Sequence, residues 1–164
     1  NIGADWAAKI AETTWKVGGN TYDNIVVQPA KTAYQNEIIN PVTTNTTDGA
    51  TEYSAKIGLM YVSDYMYAAP QDKWTLVGYN SDASKDYSAA TSVNWMYMGL
   101  VEWTISRGAS RASRVLNVDN TGHVSGRDAG DAYAALAVRP VFYLTSSVNY
   151  ASGNGTAADP IVIN

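Results

Sequence analysis

An α+β fold is what this sequence predicts, on three observations. Helical and strand-like patterns alternate through the first part of the chain, whereas roughly the last seventy residues carry only strand-like patterns separated by turn signals. Gly, Asn, Asp and Ser clusters punctuate both parts, with no fixed-period repeat and no low-complexity tract. A length of 164 residues with 46% apolar content suits one domain spanning 1–164, large enough to bury a core without disulfides or metals.

In order along the chain, Trp6 to Trp15 reads as a short helix with Ala7 and Ile10 on one face, broken by Gly18-Gly19-Asn20. Tyr22 to Val27 is strand-like. Pro29 is placed to open a helix in which Ala30, Ala33, Tyr34 and Ile38 recur at helical spacing up to Asn40-Pro41. Thr43 to Thr51 is small and polar, a loop. Lys56 to Met60 reads as a buried strand. Ser63 is the expected N-cap of a helix with Asp64 in its first turn and Tyr65 and Met66 inside it, stopping before Pro70. Trp74 to Gly78 is another short strand, and Tyr79 to Thr91 a polar loop.

The remainder is β. Val101, Trp103 and Ile105 alternate with Glu102, Thr104 and Ser106, which predicts a strand with its apolar members facing the core. Arg114 to Val118 and His123 to Ser125 flank Asp119-Asn120-Thr121-Gly122, a hairpin whose glycine supplies a positive φ. Leu136, Val138, Phe142 and Leu144 share one face of a predicted long final strand. Pro140 within it cannot donate to a ladder, which implies an edge or a bulge. Ser152-Gly153-Asn154-Gly155 turns the chain into Ile161-Val162-Ile163.

Composition narrows function mainly by exclusion. A net charge of -4 is a poor footprint for nucleic acid or an anionic membrane. No run of about 20 apolar residues is present to span a bilayer. With no cysteine, thiol catalysis, thiolate metal sites and disulfides are ruled out. The chain begins at Asn1 rather than Met, so a processed or trimmed N-terminus is expected. Asn45-Thr46-Thr47 and Asn154-Gly155-Thr156 spell glycosylation sequons, for which chance in an Asn- and Thr-rich chain is the better account. The aromatic complement is unusual: 12 Tyr and 5 Trp against 1 Phe, rings that present both an apolar face and a polar tip.

Several residues are candidates for chemistry. His123 is the only histidine, so a triad or histidine metal site would be built around it, but its place beside a turn glycine fits a solvated hairpin residue. Asp119, Asp128 and Asp131 with Asn117 and Asn120 lack the spacing of a calcium loop and read as turn formers. Arg107, Arg111 and Arg114, with Ser110 between them, form a basic loop suited either to a carboxylate-bearing ligand or to plain solvation. All arginines, Arg127 and Arg139 included, lie at or beyond residue 107. Glu102 and Arg139 are expected to form a buried structural ion pair, with Trp103 and Pro140 as further structural residues of the β half. Trp95 and Tyr97 are less constrained and suit stacking on a sugar or peptide. Ser106 to Tyr133 is dense in small polar residues and arginine, which fits a binding loop or an ordinary polar hairpin equally well on spacing alone.

Particular strings carry a resemblance. Lys56-Ile57-Gly58-Leu59-Met60 followed by Ser63-Asp64-Tyr65, then Glu102-Trp103-Thr104-Ile105-Ser106-Arg107, then Val115 to Val124, then Ala137-Val138-Arg139-Pro140-Val141-Phe142-Tyr143-Leu144, together resemble a bacterial domain family. That family is related to formylglycine-generating enzymes and C-type-lectin-like folds, and the tail from Ser152 to Ile161 is similar to endings of Gram-positive surface proteins. The resemblance spans about residues 56 to 163. It implies a C-type-lectin-like fold, with two or three N-terminal helices (residues 1–55) packed on a mixed, mainly antiparallel sheet with long loops (residues 56–164). It implies an extracellular, cell-surface location, and ligand contacts drawn from Ser106 to Tyr133. Related architectures occur in retroelement-diversified receptor-binding proteins and behind prepilin helices. Two departures matter: the oxidative chemistry of formylglycine generation needs cysteines, and the Glu-Pro-Asn, Gln-Pro-Asp and Trp-Asn-Asp runs of calcium-dependent sugar binding do not occur here.

The sequence reading is therefore a non-enzymatic surface binding or adhesion domain, with no cofactor and no metal. The expected binding residues are Trp95, Tyr97, Ser106, Arg107, Ser110, Arg111, Arg114, Asn117, Asp119, Asn120, His123, Arg127 and Asp128. The expected partner is a protein or glycan on another cell or surface. The alternative is a filament subunit of pilin type, whose partners are identical subunits. An enzyme would need a nucleophile, base or metal constellation, and none has convincing spacing. Convergence of the Ser106 to Tyr133 side chains on one exposed face is the structural test of the first reading.

Overall fold

The architecture is α+β in a computed structural model that describes residues 2–20, 30–41, 51–73, 91–109, 113–131 and 135–164. The expected strands Tyr22 to Val27 and Trp74 to Gly78, the helix start at Pro29, and the loops from Thr43 and Tyr79 (apart from Thr51 and Thr91) lie outside the described residues.

Helix α1 (Ala4–Lys9) has Asp5 in its first turn and Lys9 in its last, each favourable to the helix dipole, and buries none of its side chains. It is shorter than the expected Trp6 to Trp15 helix. At Ile10 the backbone turns extended, and strand β1 (Thr13–Lys16) begins where two β-branched threonines favour strand over helix. Ile10, not Ala7, is the buried residue, and it bridges to Leu144 while Ala11 N–H donates to the Tyr143 carbonyl at 2.9 Å. Strand β2 (Gly19–Asn20) follows where a break was expected.

Helix α2 (Ala30–Tyr34) carries the expected helical stripe and continues as a π-helical turn, Gln35–Ile39, up to Asn40. Ala30 and Ala33 are buried, and so is Glu37, which occupies the next position on the same helical stripe. Strand β3 (Glu52–Ala55) then pairs antiparallel with β1, so the first 55 residues are mixed rather than wholly helical. Strand β4 (Gly58–Leu59) is shorter than the expected Lys56 to Met60 strand. Gly58 is required there because a Cβ would meet the Trp15 ring at 2.7 Å.

Helix α3 (Val62–Tyr67) has Tyr61 as its N-cap, not Ser63. Two of the partners lie far away in sequence: the N–H groups of Val62 and Ser63 are accepted by Ser106 Oγ (3.0 Å) and Glu37 Oε2 (3.0 Å), while Tyr61 N–H is accepted nearby by Asp64 Oδ2 (2.9 Å). With two of its first donors satisfied by distant side chains and one by Asp64, the helix needs no local serine cap. It stops before Pro70, as expected.

Strands β5 (Glu102–Gly108), β6 (Arg114–Val118) and β7 (Val124–Asp128) form an antiparallel meander, and β2 adds to the outer side of β5 in parallel to give the order β2-β5-β6-β7. Gly122, with φ 89°, closes the β6–β7 turn as predicted. Helices α2 and α3 cover one face, packing Ala33, Val62, Tyr65 and Met66 against Leu116, Val118 and Val124. The alternation in β5 is present with its sense reversed. Glu102, Thr104 and Ser106 face the helices and are buried, whereas Trp103 and Ile105 are half-buried on the opposite face.

The long final strand does not form. The segment instead changes partners: Ala137 bridges Glu102, strand β8 (Pro140–Val141) pairs with β4, and Leu144 reaches Ile10. Pro140 sits on a two-residue pairing at a sheet edge, where its missing N–H is tolerated. Val138, Phe142 and Leu144 are exposed rather than core. Strands β9 (Tyr150–Ser152) and β10 (Val162–Ile163) make a terminal hairpin. Among the described residues, no helix is long and apolar enough to cross a membrane.

Candidate functional site

The basic and polar candidates do not converge. Ser106 and Asn117 are completely buried, which removes both from the surface and corrects their assignment as ligand contacts. Ser106 Oγ donates to Glu37 Oε1 at 2.6 Å and accepts from Val62 N–H. The others divide between the two ends of the β6–β7 hairpin, separated by a five-residue strand of about 15 Å. Asp119, Asn120 and His123 are at the turn. Arg107, Arg114, Arg127 and Asp128 are at the far end, with Arg107 opposite Val115 and Arg114 opposite Asp128. Ser110, Arg111 and Tyr133 lie outside the described residues.

Folding accounts for the turn cluster. Asp119 Oδ1 accepts from Thr121 N–H at 3.0 Å and from its hydroxyl at 3.1 Å, and Thr121 Oγ1 is 2.6 Å from His123 Nδ1. Tyr65 and Tyr97 hydroxyls donate to the carbonyls of Gly122 (3.0 Å) and Asn120 (2.6 Å), tying the turn to the core. At the other end, Arg114 Nη1 donates to the Gly126 carbonyl at 3.0 Å. The expected ion pair is present: Glu102 is buried, and Arg139 Nη2 lies 2.8 Å from its carboxylate oxygens.

A different surface emerges around Trp95. Asn94 is buried and fixes the local chain, its Nδ2 donating to Tyr65 O (2.8 Å) and its Oδ1 accepting from Met96 N–H (2.9 Å). Trp95 N–H donates to Ala68 O, Tyr97 N–H to Asn94 O, and Arg139 Nη2 to Met96 O at 2.7 Å. This pinned turn sends Met96 into the core and projects Trp95 outward, 79% exposed. The indole stands over a groove of about 430 Å³ lined by Met60, Asp64, Tyr67, Ala68, Met96 and Val141. Exposed Met98, Leu100 and Val138 continue the apolar surface beyond it. Partial burial raises the Asp64 carboxyl above its ordinary range.

Trp95 was legible as a candidate because no alternation claimed it for the core. Its groove partners Asp64 and Tyr67 were not, because helix α3 and the Trp95 turn meet only in the fold. Glu37 was also missed as a functional group, although its helical stripe with Ala30 and Ala33 marked it for burial. Desolvation pushes the Glu37 carboxyl up to about 7, against the opposing hydrogen bonds from Ser106 and Ser63. Burial likewise raises the phenols of Tyr61, to about 12, and of Tyr65. Among the described residues, no group of three or more His, Asp or Glu side chains is arranged to hold a metal ion. Comparison with protein-family models, curated proteins and solved structures finds no match.

Proposed function

We propose that this chain is a non-enzymatic, extracellular ligand-binding or adhesion domain of C-type-lectin-like architecture, and that it binds through the Trp95 groove rather than the arginine-rich hairpin. The observation that carries this reading is a large apolar side chain held out of the core by a turn that side-chain and backbone hydrogen bonds pin in place. Exposing most of an indole forgoes burial worth roughly 2 kcal/mol, while the turn that displays it is tied to Tyr65, Ala68 and Arg139 by hydrogen bonds. Pre-ordered aromatic side chains beside an apolar groove are what binding surfaces use, since little rotamer freedom is lost on contact.

The test is a protein and glycan array probed with wild type and Trp95→Ala. Hits that weaken at least tenfold in the variant, with an unchanged melting temperature, are the expected result. Hits that are indifferent to Trp95 would remove the groove from this reading.

The filament-subunit alternative draws on a separate feature. Helix α1 buries none of its side chains, and Ile2 and Trp6 line an apolar groove of about 330 Å³ with Ile10 and Phe142. Electron microscopy of native surface material, labelled with an antibody to this chain, separates filaments from dispersed display.

A further inference from the structure

We infer that the ligand of the Trp95 groove is a cationic side chain with an aliphatic stem, a lysine or arginine presented by a protein partner. This rests on the groove being the contact surface, and it specifies the chemistry recognised there. The floor of the groove is Met60, Ala68, Met96 and Val141, which offers an alkyl chain contact and no hydrogen bonds from side chains. Two aromatic side chains, Trp95 and Tyr67, line it, and the T-shaped contact of Tyr67 with Tyr34 at 6.5 Å helps to orient its ring. Among the described residues, the one charged group in the lining is the Asp64 carboxylate. Its Oδ2 accepts from Tyr61 N–H at 2.9 Å, leaving Oδ1 for a second donor.

Among the described residues the lining contains no basic residue, and Arg139, which reaches the same turn at the Met96 carbonyl, is paired with Glu102 at 2.8 Å. The described lining is therefore acidic, in keeping with the net charge of -4. A carboxylate, two aromatic faces and an apolar floor match a cation on a hydrocarbon stem, which combines ion pairing, cation–π attraction and stem burial. A saccharide ring fits less well: it needs several directed donors and acceptors, and among the described residues this lining supplies one carboxylate, one phenol and one indole N–H.

Fluorescence polarisation with a fluorescein-labelled pentalysine peptide, and with the same peptide acetylated at every Nζ, tests the inference. The protein variants are Asp64→Asn, Trp95→Ala and, as a control for net charge, Glu12→Gln on a separate exposed segment. Asparagine at position 64 keeps an oxygen for Tyr61 N–H and so preserves the helix start. Pentalysine is expected to bind wild type about tenfold more tightly than the acetylated peptide, and Asp64→Asn and Trp95→Ala each to weaken it about tenfold. Glu12→Gln should leave it within about twofold. Equal binding of the acetylated peptide, or equal losses from Glu12→Gln and Asp64→Asn, overturns the inference. If array hits depend on Trp95 while pentalysine does not bind, the groove remains a contact surface for another ligand class and the cationic inference fails alone. Array hits independent of Trp95 sink both.

Discussion

Strand β5 buries Glu102, Thr104 and Ser106 against the helices, while the chain between Val138 and Val162 leaves Val138, Phe142, Tyr143, Tyr150 and Val162 in water. Polarity alone would assign these two regions the other way round. The difference is partnership. Each buried polar side chain of β5 has a defined acceptor or donor: Arg139 for Glu102, the Leu116 carbonyl for Thr104 at 2.8 Å, Glu37 and Val62 N–H for Ser106. A hydrogen-bonded polar group escapes the desolvation penalty that an orphaned one suffers. The C-terminal segment passes between three different pairing partners and never lies flat on one sheet, so its apolar side chains have no continuous face to cover.

Breaking the partnership should give the largest effect. Arg139→Ala leaves Glu102 buried and unpaired, and a loss of about 3–5 kcal/mol in urea unfolding is expected. Replacing both members, as Glu102→Leu with Arg139→Met, should cost less than either single change, and a larger loss for the pair would show that the ion pair stabilises beyond its own desolvation.

Next comes Glu37, which links the π-helical turn, α3 and β5. Its carboxyl titrates near 7 in the folded protein and near 4.5 when unfolded, so between those values the folded state holds more protons. Stability is thus greatest below about pH 4.5 on this account and falls as pH rises toward 7, by roughly 3 kcal/mol if the group acts alone. Asp64, also raised, contributes in the same direction at lower pH. Glu37→Gln mimics the protonated acid, donating to Ser106 Oγ and accepting from Ser63 N–H. Thermal unfolding of the variant from pH 4.5 to 7.5 should be nearly flat, and an unchanged slope would assign the dependence elsewhere.

Asn117 departs from this pattern. Among the described residues, neither its side-chain oxygen nor its nitrogen has a hydrogen-bond partner, although the residue is fully buried. Asn117→Leu is therefore expected to raise stability by about 1 kcal/mol, and a loss of similar size would reveal a polar contact at that position. The smallest effects belong to the exposed region: Val138→Ser and Phe142→Ser should each shift stability by about 0.5 kcal/mol or less in denaturant titrations.

The sequence carried much of the β half and little of the site. The β6–β7 hairpin was legible from Asp119 to Gly122, because a glycine with positive φ between two strand-like runs is a local signal. The helix from Ala30 and the stop before Pro70 were legible for the same reason, as was the Glu102–Arg139 pair from opposite charges on adjacent apolar strands. Trp6 to Trp15 was misread because short-range periodicity could not register that Ala11 and Thr13 would find extended partners in Tyr143 and Ala55. The hairpin candidates failed to converge because alternation sends neighbours to opposite faces and a strand's length separates its ends.

By itself, the sequence determined the α+β class, the Asp119 to Gly122 turn and the stop of α3 before Pro70, since these depend on φ preferences, proline and spacing within a few residues. Tertiary structure alone decided which face of β5 is the core, that α3 begins at Tyr61, and that Trp95, Tyr67 and Asp64 share a groove. Each of these depends on a partner contributed from 26 or more residues away, such as Glu37 to Ser63 and Ser106 to Val62, and the burial of a polar group is favourable only once that partner is in place.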